Sequence, residues 1–406
     1  MKTDSIKRAL ELRKNLRLDD KILVVDFSDT LQGADTSRVI DLMPNIKTGK
    51  YVFRAKVNVK ELDIVASGVY GKEYFDVNKH SDKEIEDFVK KQDFDFPLWF
   101  KHDKGFEMKK VNDYNFPFIM QVAGCNFHDG SSTGGCWYCF VDDKSNDGKI
   151  GEGKAFLTID ETIDSMISEE TKNNRIGARK YIKEWYKKKG QEVDIKVLRV
   201  SGGEPTIVLD WVLNLWRKIG ERNLDIVGQL DSNLSTGYLV DEFEKEGIYE
   251  NNILEKLAEF PVKVLTALKG CDEENLQTNV QSNATMQAQE YSLKKFIKAG
   301  FDIYPQMYNP NPDTLKDYLI KMDNLIENFS LRVHIGPLKI YGPTSLRLGL
   351  EAEKSRIEKY AFIEKHRKKW DDNYKKSVEV MENYLRERYD VGYKEITRSD
   401  AVLRIK

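Results

Sequence analysis

The chain has 406 residues, 40% of them hydrophobic, enough apolar material to bury one main core with additions around it. Its 65 Lys and Arg nearly cancel 67 Asp and Glu, so no global excess of charge marks it as a nucleic-acid or membrane-surface protein. Four cysteines in so long a chain, three of them clustered, do not make a disulfide framework; metal binding in a reducing compartment accounts for them better.

Residues 1–20 are charged throughout and lack the apolar centre of a signal peptide. No stretch elsewhere reaches the ~20 apolar residues of a membrane span, so a soluble, cytoplasmic protein with no membrane partner is expected. Residues 6–18 have helical spacing with a basic outer face, 22–27 read as a buried strand, and 51–59 alternate as a half-exposed one. Ser81, with Glu84 three residues later, begins a capped helix running to about residue 91. The aromatic-rich stretch 94–106, with Trp99 and Phe100, is expected to pack under the main domain. Residues 1–115 thus read as an N-terminal α+β accessory region.

From residue 116 strands alternate with helices, the pattern of a parallel sheet with helical crossovers. Strands are predicted at 117–123, 196–201, 225–230, 262–267, 301–306 and 331–336, and helices at 158–173, 209–222, 250–259 and 286–299, the last closed by Gly300. Six such units over 116–345 give an α/β fold, a partial (β/α)6 TIM-like barrel, in which functional groups gather at the carboxyl ends of the strands. After about residue 349 the chain is strongly charged. Ile357, Tyr360 and Ala361, then Val378, Met381 and Leu385, repeat at helical spacing, so 346–406 read as a C-terminal tail of two amphipathic helices.

The chemistry-bearing residues fall at those strand ends. The first strand runs into a Gly-rich loop holding Cys125, Cys136 and Cys139, spaced by ten residues and then two. Thiolates bind soft metals, and Cys-x-x-Cys can place two sulfurs on one metal centre. A structural zinc wants four ligands, with only His128 nearby to complete the set; a cubane iron–sulfur cluster takes one thiolate per iron, so three would leave one iron open. The second strand ends in Ser201-Gly202-Gly203-Glu204-Pro205, whose glycines admit a ligand to the backbone and whose carboxylate suits an ammonium group. Asp231, Ser232 and Asn233 end the third strand and suit sugar hydroxyls. Lys269 after the fourth and Lys339 after the sixth sit where a carboxylate could be held.

As an ordered set these motifs resemble the radical S-adenosylmethionine (SAM) superfamily, and within it the pyruvate formate-lyase activating enzyme group, over about residues 116–345. The resemblance implies a [4Fe-4S] cluster on Cys125, Cys136 and Cys139, with SAM chelating the open iron. Tyr138 would lie against the adenine, Gly202, Gly203 and Glu204 would hold the methionine amino group, and Asp231, Ser232 and Asn233 would lie near the ribose. Lys269 matches the lysine of the group's Asp-x-Lys, and Lys339 stands where a histidine is common. It further implies reductive cleavage of SAM, a one-electron donor such as flavodoxin or ferredoxin, and hydrogen abstraction from a protein or peptide glycine, or from a small molecule or nucleotide. The sequence departs from the pattern in its ten-residue Cys125–Cys136 spacing, where three is usual, and in Ala267 at the Asp position.

Two other readings stand beside this one. The cysteine loop could be a zinc clasp completed by His128 in a non-catalytic metal-binding or RNA-binding module. The basic stretch 172–189, with Tyr181, Trp185 and Tyr186 among its charges, has the composition of an RNA grip, although a solvated helix face is the commoner meaning. Cys271, two residues after Lys269, could be a relay thiol, or a buried inert one.

Overall fold

The computed structural model describes residues 4–27, 30–32, 39–44, 51–56, 118–131, 134–168, 197–281, 284–393, 395–396, 398 and 401–406. The predicted helix at Ser81, the aromatic stretch 94–106 and the basic stretch 172–189 lie outside these residues.

The fold is mixed α/β around a central, mostly parallel sheet. Besides the two-residue strand Arg17–Leu18 at its edge, its strands are β1 (Lys21–Val25), β2 (Phe118–Val122), β3 (Lys154–Leu157), β4 (Val197–Gly202), β5 (Val227–Ser232), β6 (Val262–Leu268), β7 (Ile303–Tyr308) and β8 (His334–Gly336). From β2 to β8 the neighbours are β2, β4, β5, β6, β7, β8, all parallel, so spatial order follows chain order. That is the arrangement helical crossovers impose, and all six predicted strands take part in it. The sixth is shorter than expected. Asn328 adopts a left-handed conformation and starts a single helical turn, Phe329–Arg332. The buried Arg332 then donates to the Ile303 and Arg398 carbonyls and pairs with Asp302, so this stretch closes the bottom of the sheet instead of extending it.

The N-terminal segment is not set apart from that sheet. Residues 22–25 of β1 are all buried, and such an apolar run needs cover on both faces. It joins the sheet by pairing antiparallel with β2 and β3, which satisfies its backbone edges and places its faces among the layers that cover the sheet. Helix α1 (Asp4–Leu16) follows the same logic, burying Ile6, Ala9, Leu12 and Leu16 on one face. A separate hairpin pairs Val39–Pro44 with Tyr51–Lys56.

The helices cover the sheet as their apolar stripes require. Helix α2 (Ile159–Ile167) opens with a capping box between Thr158 and Glu161. Helix α3 (Leu209–Glu221) buries Trp211, Leu215, Trp216 and Ile219; truncating either Trp to Ala would cost about 3–5 kcal/mol. The others are α4 (Gly237–Lys245), α5 (Ile253–Ala258), α6 (Glu273–Asn279), α7 (Met286–Lys298) and α8 (Pro312–Leu325).

The tail differs from the expected pair of helices. After α9 (Gly342–Lys354), both predicted segments lie on one 31-residue helix, α10 (Lys359–Tyr389), with Ile357 just before it. No Gly or Pro interrupts that stretch, and Glu358 caps its start by accepting from the Tyr360 and Ala361 amides. Among the described residues no helix is long and apolar enough to cross a membrane.

Candidate active site

At the carboxyl ends of the parallel strands lies a cavity of about 480 Å³, within the range of small-molecule sites. Cys125, Cys136, Tyr138 and Cys139 form one side of it. Gly202 and Gly203 from the end of β4, with Asp231, Ser232 and Asn233 from the end of β5, continue the wall. Lys269 after β6 and Lys339 after β8 complete the set that the sequence singled out. Glu204 alone of the predicted residues does not line this cavity.

Its absence has a structural cause. Glu204 is fully buried, and its carboxylate accepts from the Thr206 hydroxyl, from Ser232 Oγ at 3.0 Å and from the Asn233 amide at 2.6 Å. It therefore ties the turn after β4 to the end of β5. Burial raises its pKa to about 7, against the pull of those hydrogen bonds. Glycine is required beside it for a similar reason. A Cβ on Gly203 would stand 1.9 Å from the Gly124 carbonyl oxygen, and one on Gly202, whose φ is +107°, would stand 2.5 Å from that of Val122. The space these glycines leave open is thus filled by the backbone leading into the cysteine loop. The Gly203 and Glu204 amides donate to the Val122 and Gly124 carbonyls, each at 2.9 Å.

The described residues of the loop between the first two cysteines are anchored at both ends. Residues 135–136 pair antiparallel with Val280–Gln281, which sets Cys136 opposite Val280, and the Cys139 amide closes a turn on the Cys136 carbonyl at 3.1 Å. His128 anchors the excursion from within. It is 2% exposed, its Nε2 lies 3.3 Å from Asp143 Oδ1, and its Nδ1 accepts from the Gly130 amide at 3.0 Å. Both ring nitrogens are thereby engaged within the loop, and His128 does not line the cavity. Among the described residues no three His, Cys, Asp or Glu groups converge on a single-ion position.

The donor set suits a cationic cluster core with one thiolate per metal. Burial pushes the Cys125 thiol well up, and Cys136, Cys139 and Glu204 push the same way; burial also raises Cys136, against the pull of Lys269. Cys136 is buried and Cys125 and Cys139 are half-buried, and the resistance of Cys125 and Cys136 to ionisation is relieved by bound positive charge. Amide donors also reach two of the sulfurs, Asn233 Nδ2 at 3.7 Å from Cys125 Sγ and Asn146 Nδ2 at 3.6 Å from Cys139 Sγ.

The remaining predicted residues are placed by packing. Tyr138 is 7% exposed, with its ring 5.8 Å from that of Tyr308 and edge-on to Trp370 of α10 at 6.4 Å. Lys269 Nζ sits 5.4 Å from the Tyr138 ring and 5.8 Å from that of Tyr308. Asp231 pairs with Arg199 at 2.7 Å and accepts from Gln229. Cys271 lies outside the cavity, 3.3 Å from Thr314 Oγ1 and 3.4 Å from the Asn311 carbonyl, and burial raises it to about 11, the reading of an inert thiol.

Sequence reasoning missed two arginines. Arg199 stood in plain sight as a cation within an apolar strand. Arg347 of α9 gave no local signal. It is fully buried and donates to the Cys139 carbonyl at 2.5 Å, the Val141 carbonyl at 2.7 Å and Asp143 Oδ1 at 2.6 Å. Since Asp143 also meets His128, Arg347 locks both ends of the cysteine loop onto the tail.

No protein-family model matches the sequence, and no curated protein does. Among solved structures the chain is similar to the cobalamin-dependent S-adenosylmethionine radical enzyme OxsB. With aqua-cobalamin bound, the TM-score is 0.36 at 11% identity, covering 68% of this chain and 44% of that one. With aqua-cobalamin and S-adenosylmethionine bound, the TM-score is 0.34 at 13% identity, covering 69% and 39%. The chain therefore spans less than half the length of the structures it matches. Neither is a pyruvate formate-lyase activating enzyme.

Proposed function

We propose that this protein is a radical SAM enzyme built on a partial (β/α)6 barrel. The observation that carries the reading is the meeting of three clustered thiols with the ends of β4, β5 and β6 on one cavity, in the order the sequence motifs require. When bound, a [4Fe-4S] cluster and SAM would supply a one-electron cleavage of the carbon–sulfur bond and a hydrogen-abstracting carbon centre. The side chains have positioning and exclusion to perform. Cys125, Cys136 and Cys139 hold the cluster, and Lys269 offers its ammonium to SAM's carboxylate. The backbone at Gly202 and Gly203, with Ser232, lines the place for the methionine end, while Glu204 acts from behind by fixing Ser232 and Asn233. Trp370, packed on Tyr138, and Arg347, bonded to the Cys139 and Val141 carbonyls, would hold the cysteine loop in place from behind.

Anaerobic purification tests this reading. The expected protein is brown after reconstitution with iron and sulfide, bleaches with dithionite and releases 5′-deoxyadenosine from SAM. A colourless protein that retains stoichiometric zinc through the same treatment overturns it.

A further inference from the structure

The inner wall of an α/β barrel is ordinarily filled by branched apolar side chains. Here the strands alternate the other way. On β4, β5 and β7 the positions facing the helices are apolar, Leu198, Val200, Leu230, Ile303 and Met307, all buried. The alternate positions, Arg199, Gln229, Asp231, Gln306 and Tyr308, line the cavity. A sheet that turns amide, hydroxyl and guanidinium groups inward is shaped to hydrogen-bond a polar molecule. One buried hydroxyl beside this wall, Tyr138 Oη, has no hydrogen-bond partner among the described residues. Buried polar groups are normally paired, so it is available to a ligand.

Charge narrows the class. Arg199 is balanced by Asp231, but Lys269 and Lys339 have no carboxylate at ion-pair distance among the described residues. One of these cations answers SAM's carboxylate on the reading above; the other, exposed at the mouth, answers a second anion.

We propose that the cavity takes a small, hydroxyl-bearing oxyanion as substrate, with Lys339 at the mouth reading its phosphate or carboxylate. This rests on the radical SAM reading for the use of the site, but the anion pocket can be tested by itself.

The experiment is an anaerobic calorimetric titration of the reconstituted protein, with and without SAM, using ribose, ribose 5-phosphate, gluconate and a glycine pentapeptide. Ribose 5-phosphate or gluconate is expected to bind at least tenfold more tightly than ribose; whichever is preferred tells whether the oxyanion is phosphate or carboxylate. Lys339→Gln, at an exposed position that folding does not depend on, is expected to erase that preference. Equal binding of ribose and both anions, or an unchanged preference in Lys339→Gln, overturns the proposal, as does tightest binding by the pentapeptide. 5′-Deoxyadenosine release by the same preparation is scored separately. Its absence alongside a retained anion preference removes the radical SAM reading and leaves the pocket standing, whereas its presence without anion preference does the reverse.

Discussion

Replacing Arg347 by Met probes the link between the tail and the cysteine loop. The substitution keeps an apolar side chain of similar length, but it leaves the Cys139 and Val141 carbonyls and the Asp143 carboxylate without their shared donor. Four donor contacts would each be worth about 1.5–3 kcal/mol if independent. They share one guanidinium, however, and Asp143 keeps His128 as a neighbour, so the better guide is the roughly 3–5 kcal/mol cost of breaking a buried ion pair. With an unfolding entropy of ~2.1 cal/mol/K per residue, a chain of this size changes stability by about 0.85 kcal/mol per degree near its midpoint. A drop in Tm of about 4–6 °C follows. Because the loss is concentrated at the loop, iron retention is expected to fall below half that of the parent protein. Arg347→Lys, which keeps the charge without the planar fork, is expected to lie between the two. The assay is calorimetry of the apoprotein together with iron and sulfide analysis of the reconstituted protein. Arg347→Met with a Tm within about 1 °C of the parent and full iron content would refute the argument that the tail clamps the loop.

Gly203→Ala would drive its methyl into the Gly124 carbonyl and is expected to cost about 1–3 kcal/mol and to lower iron content; Gly151→Ala, with nothing within 4 Å, should stay within about 0.5 kcal/mol by denaturant titration. Glu204 has a folded-state pKa near 7, above its ordinary value of 4.5, so the folded state binds the proton more tightly. Its stabilising share is therefore complete below about pH 4.5 and is lost as pH rises through about 7, a swing on the order of 3 kcal/mol. Glu204→Gln, whose amide can donate to the adjoining hydroxyls, is expected to gain stability relative to the parent at pH 8 and not at pH 5; equal Tm differences at both pH values would contradict this. Single Ala substitutions of Cys125, Cys136 and Cys139 are each expected to abolish the brown colour, whereas Cys271→Ser keeps parental iron, measured by absorbance and iron analysis. A loss of iron in the Cys271 variant would make that thiol part of the site.

Local periodicity and the strand-end motifs determined much of this protein. Six strands were legible because each is an apolar run bounded by turn residues, and the parallel order followed from the helices between them. Eleven of the twelve site residues line one cavity because motifs at successive strand ends must meet on one face of such a sheet. Tertiary structure decided what depends on contacts that no window of sequence contains. Arg347 meets the Cys139 carbonyl across 208 residues of chain. Residues 22–25, all buried, entered the main sheet by pairing their backbone edges with strands far along the sequence. Glu204 withdrew from the cavity because Thr206, Ser232 and the Asn233 amide surround its carboxylate, an arrangement that exists only once β4 and β5 lie side by side. A residue's type and spacing set which element it joins and which way it faces, but its partners are set by the packing of distant segments, where the cost of leaving a buried polar group unpaired is met.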